Sequence, residues 1–126
     1  LVVGTGNKVE DFGVGFYTKY GDGGVDISPI ADLYKSEVWD MARELGIDQR
    51  IIDAKPTDGL WDDGRVDEDQ LDGMSYQELE ECMKLVEAQD LYDVLEEDEV
   101  AKVDKYNAIR SRNLHKMNPI PVFLKS

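Results

Sequence analysis

The segment Leu1-Val2-Val3-Gly4-Thr5-Gly6-Asn7-Lys8-Val9-Glu10 decides how the rest of the sequence is interpreted. It begins as a short apolar run and passes into two closely spaced glycines, a pattern typical of a buried strand in an α/β sheet that opens onto a ligand. As far as residue 26, the chain then carries many glycines and several polar side chains. A packed core is not built from such residues, so this segment predicts a binding site.

The length of 126 residues suits one modest domain or a piece of a larger one. The first residue already lies in the apolar run, and a strand start of three residues cannot form a sheet without partners. We therefore expect the chain to be a fragment of a longer one, with the partner strands upstream of Leu1.

The net charge of −14, from 28 acidic and 14 basic residues, argues against a nucleic acid partner, because binding to a phosphate backbone needs clustered Lys and Arg. A small anionic ligand remains compatible, since a few lysines, a helix N-terminus and a bridging cation are enough to hold a nucleotide. The single cysteine, Cys82, cannot form an intrachain disulfide, which is consistent with a reducing cytosol. The sequence has no long apolar run and no signal-peptide pattern, so it predicts neither membrane insertion nor export.

Three main helices are predicted from apolar residues at helical spacing, over residues 32–46, 75–88 and 97–114. The first has Asp32 or Ser36 as candidate caps, and Gly46 is well placed for a left-handed stop at its end. The second starts with Ser75 and Glu78 in the spacing of a capping box. The third is acidic at its start and basic at its end, which complements the helix dipole.

Shorter elements are predicted between these helices. Residues 7–14 fit a brief helix, and residues 27–30 are expected to be extended because the residue before a proline avoids helical geometry. The acidic, turn-rich residues 58–72 predict a mobile loop. Residues 90–98 fit either a short helix or a linker.

Several familiar motifs fail. After Gly4 and Gly6, the third glycine of the dinucleotide fingerprint would fall at Val9, and no Walker-type Gly-Lys-Ser/Thr occurs. The Asp-rich segments around Asp22 and Asp62 lack the spacing of an EF-hand. One histidine and one cysteine cannot build a zinc site alone. The polar residues that remain as candidates are Thr5, Glu10, Lys19, Asp26, Lys35, Thr57, His115 and Lys116.

On pattern alone these candidates have ordinary explanations as well. Glu10 follows the predicted strand by about one helical turn, where its carboxylate can reach Mg²⁺, but a solvated helix residue fits equally well. Lys35 lies in the first turn of a helix, where a cation and the helix N-terminus together suit a phosphate. Lys19, between aromatics and glycines, fits a ligand contact slightly less well than a surface lysine.

The remaining candidates are similarly open. Asp22 and Asp26 suit hydrogen bonds from ribose hydroxyls or an amide, and they equally suit a role as turn residues. His115 and Lys116 more often complement a helix dipole than form a site. Cys82 is expected to pack as a small hydrophobe.

Taken together, seven segments closely resemble the NAD synthetase family. They are Gly4-Thr-Gly-Asn-Lys-Val-Glu10, Phe16-Tyr-Thr-Lys-Tyr-Gly-Asp-Gly-Gly24, Asp26-Ile-Ser-Pro-Ile30, Leu33-Tyr-Lys35, Lys55-Pro-Thr57, Gly73-Met-Ser-Tyr76 and His115-Lys116. The resemblance covers nearly the whole chain, and its most distinctive part is Thr18-Lys-Tyr-Gly-Asp-Gly23. It implies that residues 1–126 are the C-terminal portion of a single synthetase domain.

The resemblance also implies a fold and a reaction. The fold is the Rossmann-like α/β fold of ATP pyrophosphatases, also described as adenine nucleotide alpha hydrolase-like, of which this would be the mostly helical C-terminal half. The enzyme would be a cytoplasmic homodimer. ATP would activate the carboxylate of deamido-NAD⁺ as an adenylate with release of pyrophosphate, and ammonia would then displace AMP to give the amide of NAD⁺.

Eight residues acquire roles from the resemblance. Those expected to contact ATP are Thr5, Lys35 and Thr57. The residue expected to bind Mg²⁺ is Glu10. Those expected to contact deamido-NAD⁺ are Lys19, Asp26, His115 and Lys116. No residue is expected to act as a covalent nucleophile.

Two departures qualify this assignment. The family's Ser-Gly-Gly-X-Asp-Ser phosphate loop does not occur here and is expected upstream of Leu1, so the fragment alone is expected to be inactive. The spacing from Glu10 to Lys19, like the segment 71–73, is one residue longer than in many relatives, which makes Asp11 an alternative or second metal ligand.

The rival hypotheses are an acidic interaction domain that docks a partner and another amide-forming or thiolation enzyme with the same phosphate loop. The nitrogen donor is open between free ammonia and glutamine.

Overall fold

The computed structural model describes residues 1–88 and 95–125. Within them the chain forms a short π-helix, Val9–Val14, followed by α-helices α1 to α5. Their bounds are α1 Lys35–Glu44, α2 Gln49–Ile52, α3 Asp67–Gln70, α4 Tyr76–Glu87 and α5 Glu97–Met117. Of the ambiguous stretch 90–98, residues 90–94 lie outside the described part. No helix among the described residues has both the length and the apolar composition needed to cross a bilayer.

The two segments expected to be extended meet in a parallel bridge. Val3 pairs with Ile27, and the Gly4 N–H donates to the Ile27 carbonyl at 2.7 Å. Pro29 and Ile30 form a turn instead of continuing the extended segment. Parallel pairing needs a crossover connection, which the intervening π-helix and loop supply. The bridge therefore places the loop of Gly4 and Gly6 beside residues 26–28.

The brief helix predicted over residues 7–14 exists, but its hydrogen-bonding pattern is that of a π-helix. The N–H of Gly15 donates to the Glu10 carbonyl, five residues earlier, and Gly15 is left-handed with φ of +67°. A π-turn holds one residue more than an α-turn.

The core is formed where the π-helix packs against α4 and α5. Its fully buried members include Val9, Val14, Leu79, Val103 and Tyr106. The α4 prediction is confirmed, with Ser75 as N-cap and Glu78 completing the capping box. Helix α5 begins where expected and ends three residues later than predicted. The predicted packing of Cys82 is also confirmed, since it is 2% exposed, and burial raises the pKa of its thiol.

Helix α1 differs from its prediction in bounds, cap and burial. It starts at Lys35 rather than Asp32, because Tyr34 is the N-cap and its N–H donates to the Glu37 carboxylate at 2.7 Å. It ends at Glu44, and Gly46 beyond it is left-handed as expected. The apolar spacing that predicted the helix does not mark a buried face, since no residue of α1 is buried. Among the described residues, α1 packs against α4 and α2, and these contacts leave its side chains partly exposed.

Candidate functional site

The glycine loop, the start of α1 and the segment 56–67 enclose a cleft of about 310 Å³. Its polar lining includes Thr5, Glu10, Asp11, Lys35, Thr57 and Asp67. The structure thus brings together the residues predicted to contact ATP and the residue predicted to bind Mg²⁺. Both alternatives for the metal ligand, Glu10 and Asp11, lie in this cleft. Burial, followed by the charges of Glu10 and Asp22, raises the pKa of Asp11.

Three chain segments hold the Glu10 carboxylate. Its Oε2 accepts from the Asn7 N–H at 3.0 Å, and its Oε1 accepts from Lys35 Nζ at 3.2 Å and from the Tyr76 hydroxyl at 2.8 Å. The buried Asn7 side chain accepts in turn from the N–H groups of Val9 and Glu10, at 3.0 and 3.2 Å. The side chain of Glu10 is 16% exposed, so these bonds fix a charge that water reaches only in part.

Lys35 is the cation of the cleft, whereas the N-terminus of α1 is already occupied. The Ser36 N–H and hydroxyl donate to the two oxygens of the Glu80 carboxylate, at 2.8 and 2.7 Å. Glu80 is 4% exposed and belongs to α4. The sequence pattern suggested that this helix start would receive a phosphate, but a buried carboxylate caps it instead. A phosphate in the cleft would therefore meet the ammonium of Lys35 rather than the N–H of Ser36.

Asp67 lines the cleft and Tyr76 hydrogen-bonds to two of its lining residues, although the sequence assigned neither a role. The Tyr76 hydroxyl lies 2.8 Å from Asp67 Oδ2, the same distance as from Glu10. Asp67 is 6% exposed, its Oδ1 has no hydrogen-bond partner among the described residues, and burial raises its pKa. Tyr76 belongs to Gly73-Met-Ser-Tyr76, one of the segments that resemble the NAD synthetase family, and this resemblance was the only signal for it in the sequence. Asp67 is one of many acids in residues 58–72 and had none.

The opposite side of the cleft, residues 56–66, is held by local bonds. The Thr57 hydroxyl donates to the Arg65 carbonyl at 3.2 Å and accepts from the Gly59 N–H at 3.1 Å. Asp58 accepts from the Leu60 N–H and from the Gln70 side chain, both at 3.0 Å. We call these residues the loop wall. The π-helix, the start of α1 and helix α4 form the packed wall.

Three of the four residues predicted to contact deamido-NAD⁺ meet at the C-terminal end of α5. Lys19 Nζ donates to the carbonyls of His115 and Asn118, at 2.9 and 3.0 Å. Lys116 Nζ donates to the Gly15 carbonyl at 2.9 Å, and burial lowers its pKa. Both lysines thus satisfy carbonyl groups at element ends. Asp26 lies elsewhere, at the start of the chain, where it accepts from the Val2 N–H at 2.6 Å.

Two further clefts, of about 180 and 610 Å³, adjoin the first, and all three share Tyr17 and Asp22. Lys116 lines both of these clefts, whereas Lys19, His115 and Asp26 line none of the three. The three clefts thus branch from Tyr17 and Asp22, with Lys35 in one branch and Lys116 in the other two.

The cleft fits Mg²⁺ on the chemistry of its donors. Residues 1–88 and 95–125 contain no group of three or more His, Cys, Asp or Glu side chains able to hold a metal by themselves. Mg²⁺ does not need such a group, because one or two carboxylates and the phosphates of a nucleotide usually hold it. Glu10 offers a fixed carboxylate, and Asp67 has a buried oxygen that no group in the described part of the chain contacts by a hydrogen bond.

Solved structures define the class to which this fold belongs. The chain matches the structure of NMN synthetase from Francisella tularensis with a TM-score of 0.75 and 30% identity, over 95% of this chain and 45% of that one. It matches the NH₃-dependent NAD synthetase of Campylobacter jejuni with a TM-score of 0.66 and 25% identity, over 98% and 44% of the two chains. The predicted class is confirmed: this is the helical half of an ATP-pyrophosphatase α/β fold.

The sequence comparisons identify the family. The family model described as NAD synthase matches residues 1–120, and the chain therefore belongs to the NAD synthase family. Among curated relatives, the NH(3)-dependent NAD(+) synthetase of Methanosarcina acetivorans is 42% identical over 97% of this chain and 48% of its own length. The chain spans about half the length of the curated relatives it matches.

Proposed function

We propose that this chain is part of an enzyme that amidates deamido-NAD⁺ to NAD⁺ at the expense of ATP, through an adenylate intermediate and with ammonia as the nitrogen donor. The observation that carries the proposal is the convergence of Thr5, Glu10, Lys35 and Thr57, which come from separate parts of the chain, on one cleft. The ammonia-dependent relatives support the choice of nitrogen donor.

In this proposal the chain binds and orients the reactants. Lys35 would neutralise charge on the ATP phosphates, and the hydroxyls of Thr5 and Thr57 would contact the nucleotide from either side of the cleft. Glu10 would hold Mg²⁺, with Asp11 as the alternative, and the ion would supply charge neutralisation on the phosphates. A bound nucleotide would compete with Glu10 for the ammonium of Lys35, since these two side chains are 3.2 Å apart.

The deamido-NAD⁺ site would adjoin the ATP site along the clefts that share Tyr17 and Asp22. Lys116 is its best-supported member because it lines two of these clefts. Lys19 and His115 would act from the end of α5, and Asp26 from the neighbouring bridge. We further propose that the chain is the C-terminal portion of a single synthetase domain in a cytoplasmic homodimer. The phosphate loop would lie in the N-terminal half, so the portion alone would be inactive.

A second amide-forming function is supported by the match to an NMN synthetase. In that case the acceptor would be the mononucleotide rather than the dinucleotide. The same ATP cleft would serve both reactions, and the difference would lie in the clefts beyond Tyr17.

The test is isothermal titration of the complete protein with Mg·ATP, deamido-NAD⁺ and nicotinate mononucleotide, followed by an assay of amide formation with ammonia. We expect deamido-NAD⁺ to bind and to be amidated. Amidation of the mononucleotide alone would favour the second function, and binding of none of the ligands would refute both. Lys35→Ala should weaken ATP binding more than deamido-NAD⁺ binding, with Lys55→Ala as the matched control because Lys55 does not line the cleft. Equal losses for the two ligands would contradict the role of Lys35.

A further inference from the structure

The Tyr76 hydroxyl connects two carboxylates that lie far apart in the sequence. It is 2.8 Å from Glu10 Oε1 and 2.8 Å from Asp67 Oδ2, across 66 and 9 residues of chain. A phenol has one proton to donate, whereas an ionised carboxylate only accepts. The hydroxyl can therefore donate its proton to only one of the two carboxylates at a time. When Asp67 is protonated, its O–H donates to the Tyr76 oxygen and the phenol proton goes to Glu10.

The ring of Tyr76 is itself fixed. It is 3% exposed and belongs to the core cluster with Leu71, Met74 and Leu79. Tyr76 is also the first residue of α4, directly after the Ser75 cap. Because the ring is packed and its helix is capped, the position of the hydroxyl is set by the core and not by the cleft.

The hydrogen bonds that the Glu10 carboxylate accepts show what the Tyr76 hydroxyl contributes. A carboxylate has about four acceptor positions. Oε1 receives both Lys35 Nζ and the Tyr76 hydroxyl, and Oε2 receives the Asn7 N–H. One position on Oε2 is thus left for a cation. Without the Tyr76 bond, the carboxylate would keep only the flexible ammonium of Lys35 on Oε1 and the Asn7 N–H on Oε2, and it would be held less rigidly.

We propose that Tyr76 is a positioning residue that fixes the Glu10 carboxylate for a divalent cation, and that Asp67 anchors the hydroxyl from its other side. The inference rests on the proposed function, in which Glu10 holds Mg²⁺. Partners of this kind commonly change metal affinity by about 10- to 100-fold when they are removed. The bond also ties α3, which follows the loop wall, to the metal ligand in the packed wall.

The decisive variant is Tyr76→Phe, which removes the hydroxyl and keeps the ring in the core and beneath Lys35, whose Nζ lies 4.9 Å from the ring centre. The control is Tyr106→Phe, which removes another buried hydroxyl from α5. Mn²⁺ is the probe, and its binding to the complete protein is followed by electron paramagnetic resonance, with and without ATP. Thermal melting shows that each variant is folded.

We expect Tyr76→Phe to weaken Mn²⁺ binding about tenfold, and to raise the Mg²⁺ concentration needed for half-maximal amidation, with kcat restored at saturating metal. Tyr106→Phe should leave Mn²⁺ binding within about twofold of the wild type, because its hydroxyl does not contact Glu10. Asp67→Asn can donate an amide N–H to the Tyr76 oxygen, which leaves the phenol proton for Glu10, so it should stay within about threefold.

Two results overturn the inference alone: wild-type Mn²⁺ affinity in a folded Tyr76→Phe variant, or a tenfold loss in Asp67→Asn, which would make the charge of Asp67 the important feature. If the wild-type protein binds ATP but no Mn²⁺, the metal role of Glu10 fails together with this inference. If it binds neither, the proposed function fails as well.

Discussion

Glu10 and Thr57 line the same cleft but are held in different ways. Glu10, in the packed wall, is bonded to Lys35 and Tyr76, which lie 25 and 66 residues away along the chain. Thr57, in the loop wall, is bonded to Gly59 and Arg65, two and eight residues away. The geometry of the packed wall therefore depends on the tertiary core, whereas that of the loop wall depends on its own turns. Substitutions of the same kind should cost much more stability in the first wall than in the second.

The largest difference is expected between two left-handed glycines, Gly15 and Gly59, with φ of +67° and +66°. A Cβ on Gly15 would lie 2.6 Å from Asn113 Cβ, whereas a Cβ on Gly59 would meet no atom of residues 1–88 and 95–125 within 4 Å. Both alanine variants bear the cost of a left-handed residue, about 1 kcal/mol, and Gly15→Ala adds overpacking of about 2 kcal/mol. Urea unfolding should therefore show losses of roughly 3 and 1 kcal/mol.

Equal losses for Gly15→Ala and Gly59→Ala would contradict the comparison of the two walls, because the backbone cost is common to both. The difference between the two variants is the informative quantity, since it isolates the packing of the π-helix against α5. Their separate values depend on how far the surrounding chain relaxes.

A smaller effect is expected at Glu80, whose buried carboxylate joins α4 to the start of α1. Glu80→Ala leaves the Ser36 N–H and hydroxyl without their partner, which should cost about 2 kcal/mol. The matched control is Glu81→Ala on the exposed side of the same helix, expected to change the free energy of unfolding by less than about 0.5 kcal/mol. Similar losses in thermal melting of the two variants would show that Glu80 does not hold the packed wall together.

Sequence reasoning succeeded where structure is determined locally. Helix α4 was predicted to within one residue, because Ser75, Glu78 and the apolar spacing all lie inside it. The start of α1 was misplaced by three residues because its cap is Tyr34, a residue type outside the usual capping preferences. The π-helix could not be distinguished from an α-helix, since the carbonyls at its end are satisfied by Arg110 of α5, which donates to Phe12 and Gly13.

For the cleft, the pattern of residues supplied candidates and the resemblance supplied roles. Spacing alone left Glu10 no better than a solvated helix residue and gave Lys35 only a mild indication of function, and their contact in the fold is what brings them together. Tyr76 and Glu80 were missed because their partners, Glu10 and Ser36, lie 66 and 44 residues away. No local pattern encodes such contacts. A charged Glu80 between the apolar positions of α4 was the faint signal, since a buried carboxylate needs a partner.

The smallest effect concerns the cap of α4, which supports the packed wall. The Ser75 N–H donates to the Glu78 carboxylate at 3.0 Å, and this bond, with further help from the Ser75 hydroxyl and Lys102, lowers the pKa of Glu78. A carboxyl group whose pKa is lower in the folded state stabilises the protein above its unfolded pKa, here 4.5, and loses that contribution as the pH falls through the folded value. Glu78→Gln should therefore cost about 0.5 kcal/mol at pH 7, and the gap from the wild type should close as the pH falls below 4.5. Urea unfolding at several pH values measures this gap. The control Glu81→Gln removes one charge from the same helix. A pH dependence shared by both variants would come from the net charge of α4 and not from the cap. A gap that stays constant down to pH 3 would mean that the ionised cap does not stabilise α4, and the core would then hold the start of this helix without it.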